Sequence, residues 1–529
     1  MPVSRLQHIP GIGVDHVGDR ADAAHDPELL RMENLDTDLR PPAVAVERTK
    51  AAVDEDAANS YLPFQGGVSL RQAAAAHVGR RAGRSYDPSR ECVITAGGLN
   101  GILNTLLATL EPGDEVVLVD PIYAGLVNRV RLAGGIPRFV PLTPTPTGWA
   151  LDPQRLAEAV TARTAAVLMM SPAMPAGSVL GRPHWDALAQ ALERHPAWLI
   201  YDAAMERIRF DTGERVHPAQ IPGLAERTIT VGAASKELRM IGWRVGWVVG
   251  PASIIADINT VGLTNVVCQV GLAQEAVAAA LAAPDASADV QLAVDTWRQR
   301  RDVILTELSG LPVILPDGGW SLLIDTTQLG MSPTDASERL FTRGRVAATP
   351  MTGWGPSGEK CLRLVFANEP AERLGRPAQP VRRRLGLRND AGMPCAHRSR
   401  GGQCSLLSPV PGTRRTTPLT VQLNLQPCSN IQPNEALGWS VNCGRADAVA
   451  RAVVGHVPVV DTIPATSARN AANDCPTSTR SGATSHCWWM PIPAPTIATA
   501  SASVDKPVSG ANSSSQRLQW LRRVSWIAT

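Results

Sequence analysis

Residues 232–247 read GAASKELRMIGWRVGW, and the rest of the chain is best interpreted outward from them. Lys236 is one of only four lysines, although lysine and arginine together number 51. A chain that avoids lysine so strongly keeps one where arginine cannot replace it, and only lysine can lose its proton to form an imine. Arg244 follows among glycines and short apolar segments, which suits a phosphate held against the backbone. Taken alone, however, the window is more typical of a solvated lysine and arginine that flank a strand.

Composition narrows the class of protein. A chain of 529 residues is long enough for about two to four domains. Its net charge of +3 is too small to indicate binding to nucleic acid or to an anionic membrane. No apolar run approaches the roughly 18 residues of a membrane span, and the N-terminus lacks the apolar core of a signal peptide. The first 390 residues contain only Cys92, Cys268 and Cys361, with no pairing pattern, which predicts a reducing cytoplasm.

Short apolar segments alternate with helical ones between residues 91 and 250. This alternation predicts an α/β fold with a mostly parallel sheet that is buried on both faces. The segments that we predict as strands are ECVIT (91–95), EVVLVD (115–120), AAVLMMS (165–171), AWLIYDA (197–203), TITVGAAS (228–235) and VGWVVG (245–250).

The pattern predicts four regions along the chain. An N-terminal segment (1–45) packs with a small domain, a large domain spans 46–265, and the small α+β domain spans 266–387. Residues 388–529 are predicted to be a low-complexity, disordered tail, because Pro, Ser, Thr and Arg dominate and no helix or strand period persists. Translation in a shifted reading frame is an alternative origin for this tail. Its residues Cys395, His397 and Cys404 match no zinc-binding spacing, so we predict no metal site.

Three further positions could carry chemistry. Asp202 ends a predicted strand, and the carboxyl ends of parallel strands are where ligands bind, although a helix N-cap would also explain it. The turn from Thr95 to Asn100 runs from a strand into a helix, whose first N–H groups could hold a phosphate. Tyr123 follows another strand and could stack on a planar cofactor, or simply belong to the core.

In this order, the segments resemble the class I/II aminotransferases, which are pyridoxal-phosphate enzymes of fold type I. The resemblance covers residues 30–370 and implies a large domain that binds the cofactor beside a smaller α+β domain. The positions that match the family's motifs are Tyr61, Gly97, Gly98, Leu99, Tyr123, Asp202, Lys236, Arg244 and Arg363.

The resemblance implies a role for each position. Lys236 would hold pyridoxal phosphate as an imine and later move the substrate's α-proton, while Asp202 would keep the pyridine nitrogen protonated. Arg363 would bind the substrate carboxylate through two parallel hydrogen bonds. The residues expected at the phosphate are Gly97, Gly98, Leu99 and Arg244, with Tyr123 stacked on the ring and Tyr61 reaching the site of the other subunit. The last expectation implies a homodimer with shared active sites.

Three positions depart from the family. Met174 and Met205 stand where an asparagine and a tyrosine usually donate hydrogen bonds to the cofactor's ring oxygen, and Ala233 replaces a serine that contacts the phosphate. Losing both ring-oxygen donors should favour the protonated imine. The two methionines indicate a sub-family with an altered cofactor pocket; random decay is the alternative.

We therefore expect a cytoplasmic, dimeric aminotransferase that moves an amino group from an L-amino acid to a 2-oxo acid. Two alternatives stay open on the sequence. A lyase, decarboxylase or oxidase of the same fold shares the first steps, and a non-catalytic regulator could use the fold to bind a ligand. The sequence does not identify the amino donor.

Overall fold

The computed structural model describes residues 3–9 and 11–375. The predicted tail (388–529), with Cys395, His397 and Cys404, lies outside the described residues, as does the end of the predicted small domain. The strands are β1 (Leu30–Arg31), β2 (Cys92–Thr95), β3 (Glu115–Asp120), β4 (Ile136–Pro141), β5 (Thr143–Thr145), β6 (Gly148–Ala150), β7 (Thr164–Met170), β8 (Trp198–Asp202), β9 (Thr228–Ala233), β10 (Gly246–Val249), β11 (Val313–Ile314), β12 (Ser321–Asp325), β13 (Val346–Ala347), β14 (Thr349–Pro350) and β15 (Cys361–Val365).

The largest sheet among the described residues has seven strands, in the order β2-β10-β9-β8-β7-β3-β4. Strands β4, β3, β7, β8 and β9 pair in parallel. Strand β10 runs antiparallel to both of its neighbours, β2 and β9. The central strands are mainly apolar and almost entirely buried, as expected for a sheet covered by helices on both faces. The predicted α/β fold with a mostly parallel sheet is confirmed.

Helices cover the sheet and connect its strands. Glycine and proline mark several of their ends: α4 stops at Gly83, which adopts the left-handed conformation, and α7 and α8 begin with proline in the first turn. The helices are α1 (Ser4–Gln7), α2 (Val14–Ala23), α3 (Ala43–Val53), α4 (Val68–Ala82), α5 (Gly98–Thr109), α6 (Ala124–Leu132), α7 (Pro153–Glu158), α8 (Arg182–Arg194), α9 (Ala252–Asn265), α10 (Gly271–Ala282), α11 (Ala286–Glu307), α12 (Pro333–Arg339) and α13 (Ala371–Leu374).

A second, four-stranded sheet has the order β11-β12-β15-β14 and is antiparallel throughout. The N-terminal segment contacts the elements around this sheet. Strand β1 pairs in parallel with β13, and Asp26 forms an ion pair with Arg345. The segment that follows β1 therefore runs between the two sheets, where the site described below is located.

Two features of the large sheet differ from the sequence-based expectation. Strand β4 was not predicted, because it is an edge strand whose residues alternate in exposure and include prolines at positions 137 and 141. Strand β10 was predicted, but its reversed direction was not.

Among the described residues, no single helix is long and apolar enough to cross a membrane; only the bent pair α10 and α11, at 90° to each other, passes that test by length and composition.

Candidate active site

A cavity of about 220 Å³ lies at the carboxyl ends of the parallel strands of the large sheet. It brings together most of the residues singled out from the sequence, although they come from segments up to 265 positions apart in the chain. The predicted residues that line it are Gly98, Leu99, Tyr123, Asp202, Lys236, Arg244 and Arg363.

Lys236 follows β9 and projects into the cavity. Its Nζ donates a hydrogen bond to the carbonyl oxygen of Leu35, 2.9 Å away, and lies 4.6 Å from the centre of the Trp320 ring. Burial lowers the pKa of Lys236 to about 8, and the carboxylates of Asp36 and Asp202 only partly oppose this. About a tenth of this amine is therefore unprotonated at pH 7, and this is the form in which a lysine acts as a nucleophile or base.

Asp202 ends β8 and is 6% exposed. Its Oδ1 accepts a hydrogen bond from the backbone N–H of Ala204 at 3.0 Å. Burial raises the pKa of Asp202 to about 6, although this hydrogen bond and the charge of Lys236 both lower it. Residues 204–207 form a turn rather than a helix, so Asp202 is not a helix N-cap. The carboxyl group is thus held in a poorly solvated position, facing the same cavity as the Lys236 amine.

The turn before α5 and the guanidinium of Arg244 form one end of the cavity. Gly97 has φ +90°, and a Cβ placed on it would lie 2.5 Å from Arg244 Nη2. A Cβ on Gly246 would lie 2.6 Å from the backbone nitrogen of Gly98, so β10 also passes close to this turn. The first N–H groups of α5 have no partner within the helix. Because Gly97 and Gly246 carry no side chain, the Arg244 guanidinium can lie close to these N–H groups. This is an arrangement that binds phosphate.

Arg244 is held in place by a local network. It adopts φ +54°, which is uncommon for a residue with a side chain, and its Nη1 donates to the carbonyl oxygen of Ile241 at 3.0 Å. The same nitrogen lies 3.3 Å from the hydroxyl of Ser235. Ser235, which our sequence analysis did not single out, therefore places a hydroxyl at this end of the cavity, although Ala233 removes the family's serine.

Arg363 lies in β15 and is only 1% exposed. Its Nη2 donates to the carbonyl oxygen of Glu33 and to the hydroxyl of Thr349, and its carbon Cζ lies 4.6 Å from the centre of the Trp354 ring. It forms no ion pair with any described residue, and its Nε lacks a hydrogen-bond partner. Burial lowers the pKa of Arg363 to about 10. A buried cation without a counterion is costly, so this cavity favours an anionic ligand.

Tyr123 forms another wall of the cavity. Its ring packs edge-on against Trp354, with 5.3 Å between the ring centres, and covers Gly125, where any side chain would overlap the ring. The backbone N–H of Tyr123 donates to the carbonyl oxygen of Met174 at 3.1 Å. The ring is fixed by these contacts, as a stacking platform requires.

Met174 and Met205 both line the cavity, and they are 6% and 1% exposed. A thioether donates no hydrogen bond, so neither side chain can replace the asparagine and tyrosine of the family. The apolar character of this wall is increased by residues that the sequence analysis did not identify, namely Ile12, Val14, Met170 and Ile241.

Tyr61 is not part of this cavity. Its side chain is 80% exposed, in the loop between α3 and α4. Its predicted role is in the site of a second subunit, so its exposure in a single chain agrees with that assignment but does not test it.

Several contributors to the site could not have been found from the sequence. Leu35 and Asp36 follow β1, and Trp354 lies in a loop before β15. None of them belongs to a periodic segment or to a recognisable motif, and only the tertiary fold brings them to Lys236 and Arg363. Asn34 lines the cavity from the same N-terminal segment.

The residues around the cavity fit pyridoxal phosphate. The α5 amides and Arg244 suit its phosphate, Asp202 suits a protonated ring nitrogen, Tyr123 offers a flat surface, and the Lys236 amine suits its aldehyde. The glycine at position 97 leaves room for the Arg244 guanidinium beside the phosphate-binding turn.

Comparisons with known proteins agree with this fit. The family model for aminotransferase class I and II matches residues 30–379. The chain is 34% identical over 351 residues to arginine–pyruvate transaminase from Pseudomonas aeruginosa, covering 65% of this chain and 87% of that protein. It is 32% identical over 362 residues to aspartate/prephenate aminotransferase from Thermus thermophilus, covering 68% and 91%.

A solved structure of an aminotransferase also resembles this chain. N-succinyldiaminopimelate aminotransferase from Mycobacterium tuberculosis superposes with a TM-score of 0.67 at 31% identity, covering 73% of this chain and 99% of that one. The chain therefore belongs to the class I and II aminotransferases, enzymes of fold type I that depend on pyridoxal phosphate.

Proposed function

We propose that Lys236, Asp202, Arg244 and Arg363 carry the amino-transfer reaction of this enzyme. The observation that supports the proposal most strongly is the single cavity that holds a buried amine of lowered pKa, a buried carboxyl group and an unpaired buried guanidinium. An amino acid offers the complementary groups, an amine and a carboxylate attached to the same carbon.

Lys236 would hold the cofactor covalently, and its amine would serve as the base and acid for the substrate's α-proton. With a pKa of about 8, its Nζ is unprotonated often enough near neutral pH to accept that proton, and the resulting ammonium returns it. The carbonyl oxygen of Leu35, 2.9 Å away, orients the amine. Pyridoxal phosphate supplies the ring that accepts electrons while the α-proton is absent.

Asp202 keeps its charge when a cation lies beside it. Burial, only partly opposed by Ala204 and Lys236, raises the pKa of Asp202 to about 6, but a protonated ring nitrogen at hydrogen-bond distance would lower it again. The N–H of Ala204 holds one oxygen in place and leaves the other for the ring nitrogen.

Arg363 binds the α-carboxylate of the substrate. Its guanidinium is restrained by Glu33, Thr349 and Trp354, so little side-chain freedom is lost when a carboxylate binds. A carboxylate fixed at this point leaves the α-carbon facing Lys236, which orients the proton for transfer.

An activity assay with matched products tests this proposal. Purified holoenzyme is given a panel of L-amino acids with one 2-oxo acid, and loss of donor is compared with amination of the acceptor. Equal amounts are expected. A 2-oxo acid or carbon dioxide formed without amination of the acceptor would instead favour an oxidase, lyase or decarboxylase, and no turnover of any donor would favour a ligand-binding regulator. The same panel identifies the donor.

We further propose a homodimer in which Tyr61 reaches the partner's cofactor. An apolar surface, here called the α3–α10 face, supports this proposal: its exposed side chains lie on α3, in the loop before α4, at the start of α4, and around α9 and α10. Exposed apolar residues grouped in this way are typical of an interface. The face consists of Val44, Val53, Tyr61, Phe64, Val68, Leu263, Val267 and Val270.

Mixing two inactive variants tests the shared site. If Tyr61→Ala and Lys236→Ala subunits are refolded together, a mixed dimer has one site that carries both defects and one that carries neither. Activity should therefore appear in the mixture and not in either variant alone. A monomer by light scattering, or no recovery in a mixture shown to contain mixed dimers, would contradict the proposal.

We also propose a cytoplasmic location. The absence of disulfides among the described cysteines supports it.

A further inference from the structure

A second cavity, of about 560 Å³, lies between α4, the loop after β8 and the beginning of α11. Its volume falls within the usual range for a small-molecule site. Five arginines line it, together with two histidines, a single carboxylate and several neutral polar groups. The arginines are Arg80, Arg81, Arg207, Arg209 and Arg215.

Three of the five arginines already have acidic partners. Arg81 pairs with Glu206 at 2.6 Å, Arg207 pairs with Glu237 at 3.5 Å, and Arg209 pairs with Asp211. These pairs are rigidly placed, because Glu237 is also bonded to His77 at 2.6 Å and is only 5% exposed. The guanidinium groups of the paired arginines therefore hold fixed positions in the lining of the cavity.

Arg80 and Arg215 have no acidic partner among the described residues, although both line the same cavity. Both side chains are exposed, so each guanidinium can move toward a ligand. The histidines do not add charge of their own: burial lowers the pKa of His217 to about 3 and lowers that of His77 as well. The cavity thus carries two guanidinium groups that form no ion pair with a carboxylate of the described residues.

We propose that this cavity binds a small molecule with two oxyanion groups, either phosphoryl groups or carboxylates. The two unpaired guanidinium groups supply the charge for both oxyanions, and guanidinium geometry suits two-point binding of either group. The paired arginines and the neutral polar groups, among them Ser287 and Gln291, complete the lining. The site is separate from the one assigned to the cofactor and the substrate, and it shares no lining residue with it.

The two cavities lie on opposite sides of a common wall. Neighbouring residues in the chain face different cavities: Met170, Asp202 and Met205 line the first, while Ser171, Tyr201 and Glu206 line the second. Lys236 is likewise followed by Glu237, which pairs with Arg81 and Arg207. A ligand bound in the second cavity therefore lies against residues that are next to the catalytic ones in the chain.

Calorimetric titration of the full-length holoenzyme tests the proposal, with pyrophosphate and citrate as probes at constant ionic strength. Holoenzyme is needed because the phosphate of the cofactor then fills the Arg244 end of the first cavity. The test variant is Arg80→Gln/Arg215→Gln, which removes both unpaired charges and breaks no ion pair. The matched control is Arg194→Gln, an exposed arginine of α8 that has no acidic partner among the described residues and lies outside the cavity lining.

We expect saturable binding of at least one probe to the unmodified enzyme and to Arg194→Gln. We expect the affinity to fall about tenfold for each arginine removed, and roughly 100-fold in the double variant. The stronger probe shows whether the ligand carries phosphoryl or carboxylate groups. No saturable binding of either probe, or equal affinity in the double variant, would overturn the proposal. Because binding is measured without turnover, this result is independent of the amino-transfer assay.

Discussion

Replacing Gly97 with alanine should weaken cofactor binding through Arg244. The new Cβ would lie 2.5 Å from Nη2 and 3.1 Å from Cζ of Arg244, well inside a normal contact distance of about 3.4 Å. The guanidinium must move by about 1 Å, enough to lose a well-aligned hydrogen bond to the phosphate. A hydrogen bond to a charged group contributes about 1.5–3 kcal/mol, so we expect the dissociation constant for pyridoxal phosphate to rise roughly 10- to 150-fold.

Gly113→Ala is the matched control. Gly113 also has a positive φ, +98°, but a Cβ there would meet nothing within 4 Å. Backbone strain of about 1–3 kcal/mol should therefore lower the unfolding free energy of both apoproteins, whereas only Gly97→Ala should bind the cofactor less tightly. Titration of each apoprotein with pyridoxal phosphate, followed by absorbance, measures the difference. Unchanged cofactor affinity in Gly97→Ala would refute the assignment of Arg244 to the phosphate.

Three further predictions concern buried charges. Asp202→Asn should abolish most activity yet stabilise the apoprotein. The pKa of Asp202 is raised from 3.8 to about 6 in the folded protein, so the wild-type protein loses stability as pH rises through this range, and an uncharged asparagine removes that loss. The variant should gain up to about 3 kcal/mol at pH 8 and nothing below pH ~4, as measured by urea unfolding; a stability loss at pH 8 would contradict this. Arg363→Lys should lower kcat/KM for amino donors by about 10- to 100-fold, mainly through KM, because lysine cannot make two parallel bonds to a carboxylate; an unchanged KM would argue against Arg363 as the carboxylate ligand. Glu237→Gln should lower the unfolding free energy by about 3 kcal/mol, because it removes the buried carboxylate that pairs with Arg207 and that also contacts Arg81 and His77. Glu226→Gln, which breaks the exposed pair with Arg84, should cost less than about 1 kcal/mol, and equal losses in the two variants would contradict the argument.

Local sequence signals predicted much of the fold. Strand β3 is buried on both faces, so four consecutive apolar residues form its middle, and its bounds, 115–120, match the prediction. Strand β4 lies at the sheet edge and alternates in exposure, so its segment IPRFVP gave no comparable signal. The reversed direction of β10 depends on its pairing with β2 and β9, which no periodicity encodes.

The residues of the two cavities were likewise only partly predictable from the sequence. Asp202, Lys236 and the Gly97–Gly98 turn follow strands of one parallel sheet, so their meeting at one edge follows from the fold class. The restraints on Lys236 and Arg363 come from Leu35, Glu33 and Trp354, which reach the site through loops. The arginines of the second cavity come from α4 and from the loop after β8, and each of them alone is an ordinary surface arginine by sequence.

The central claim is that Lys236 binds the cofactor. Borohydride reduction of the holoenzyme, followed by peptide mass spectrometry, tests it directly, because the chain has only three other lysines to which the cofactor could be fixed, Lys50, Lys360 and Lys506. We predict that the phosphopyridoxyl mass is found on the peptide that contains Lys236 and is lost in Lys236→Ala. Its presence on one of the other three lysines, or on none, would contradict the account.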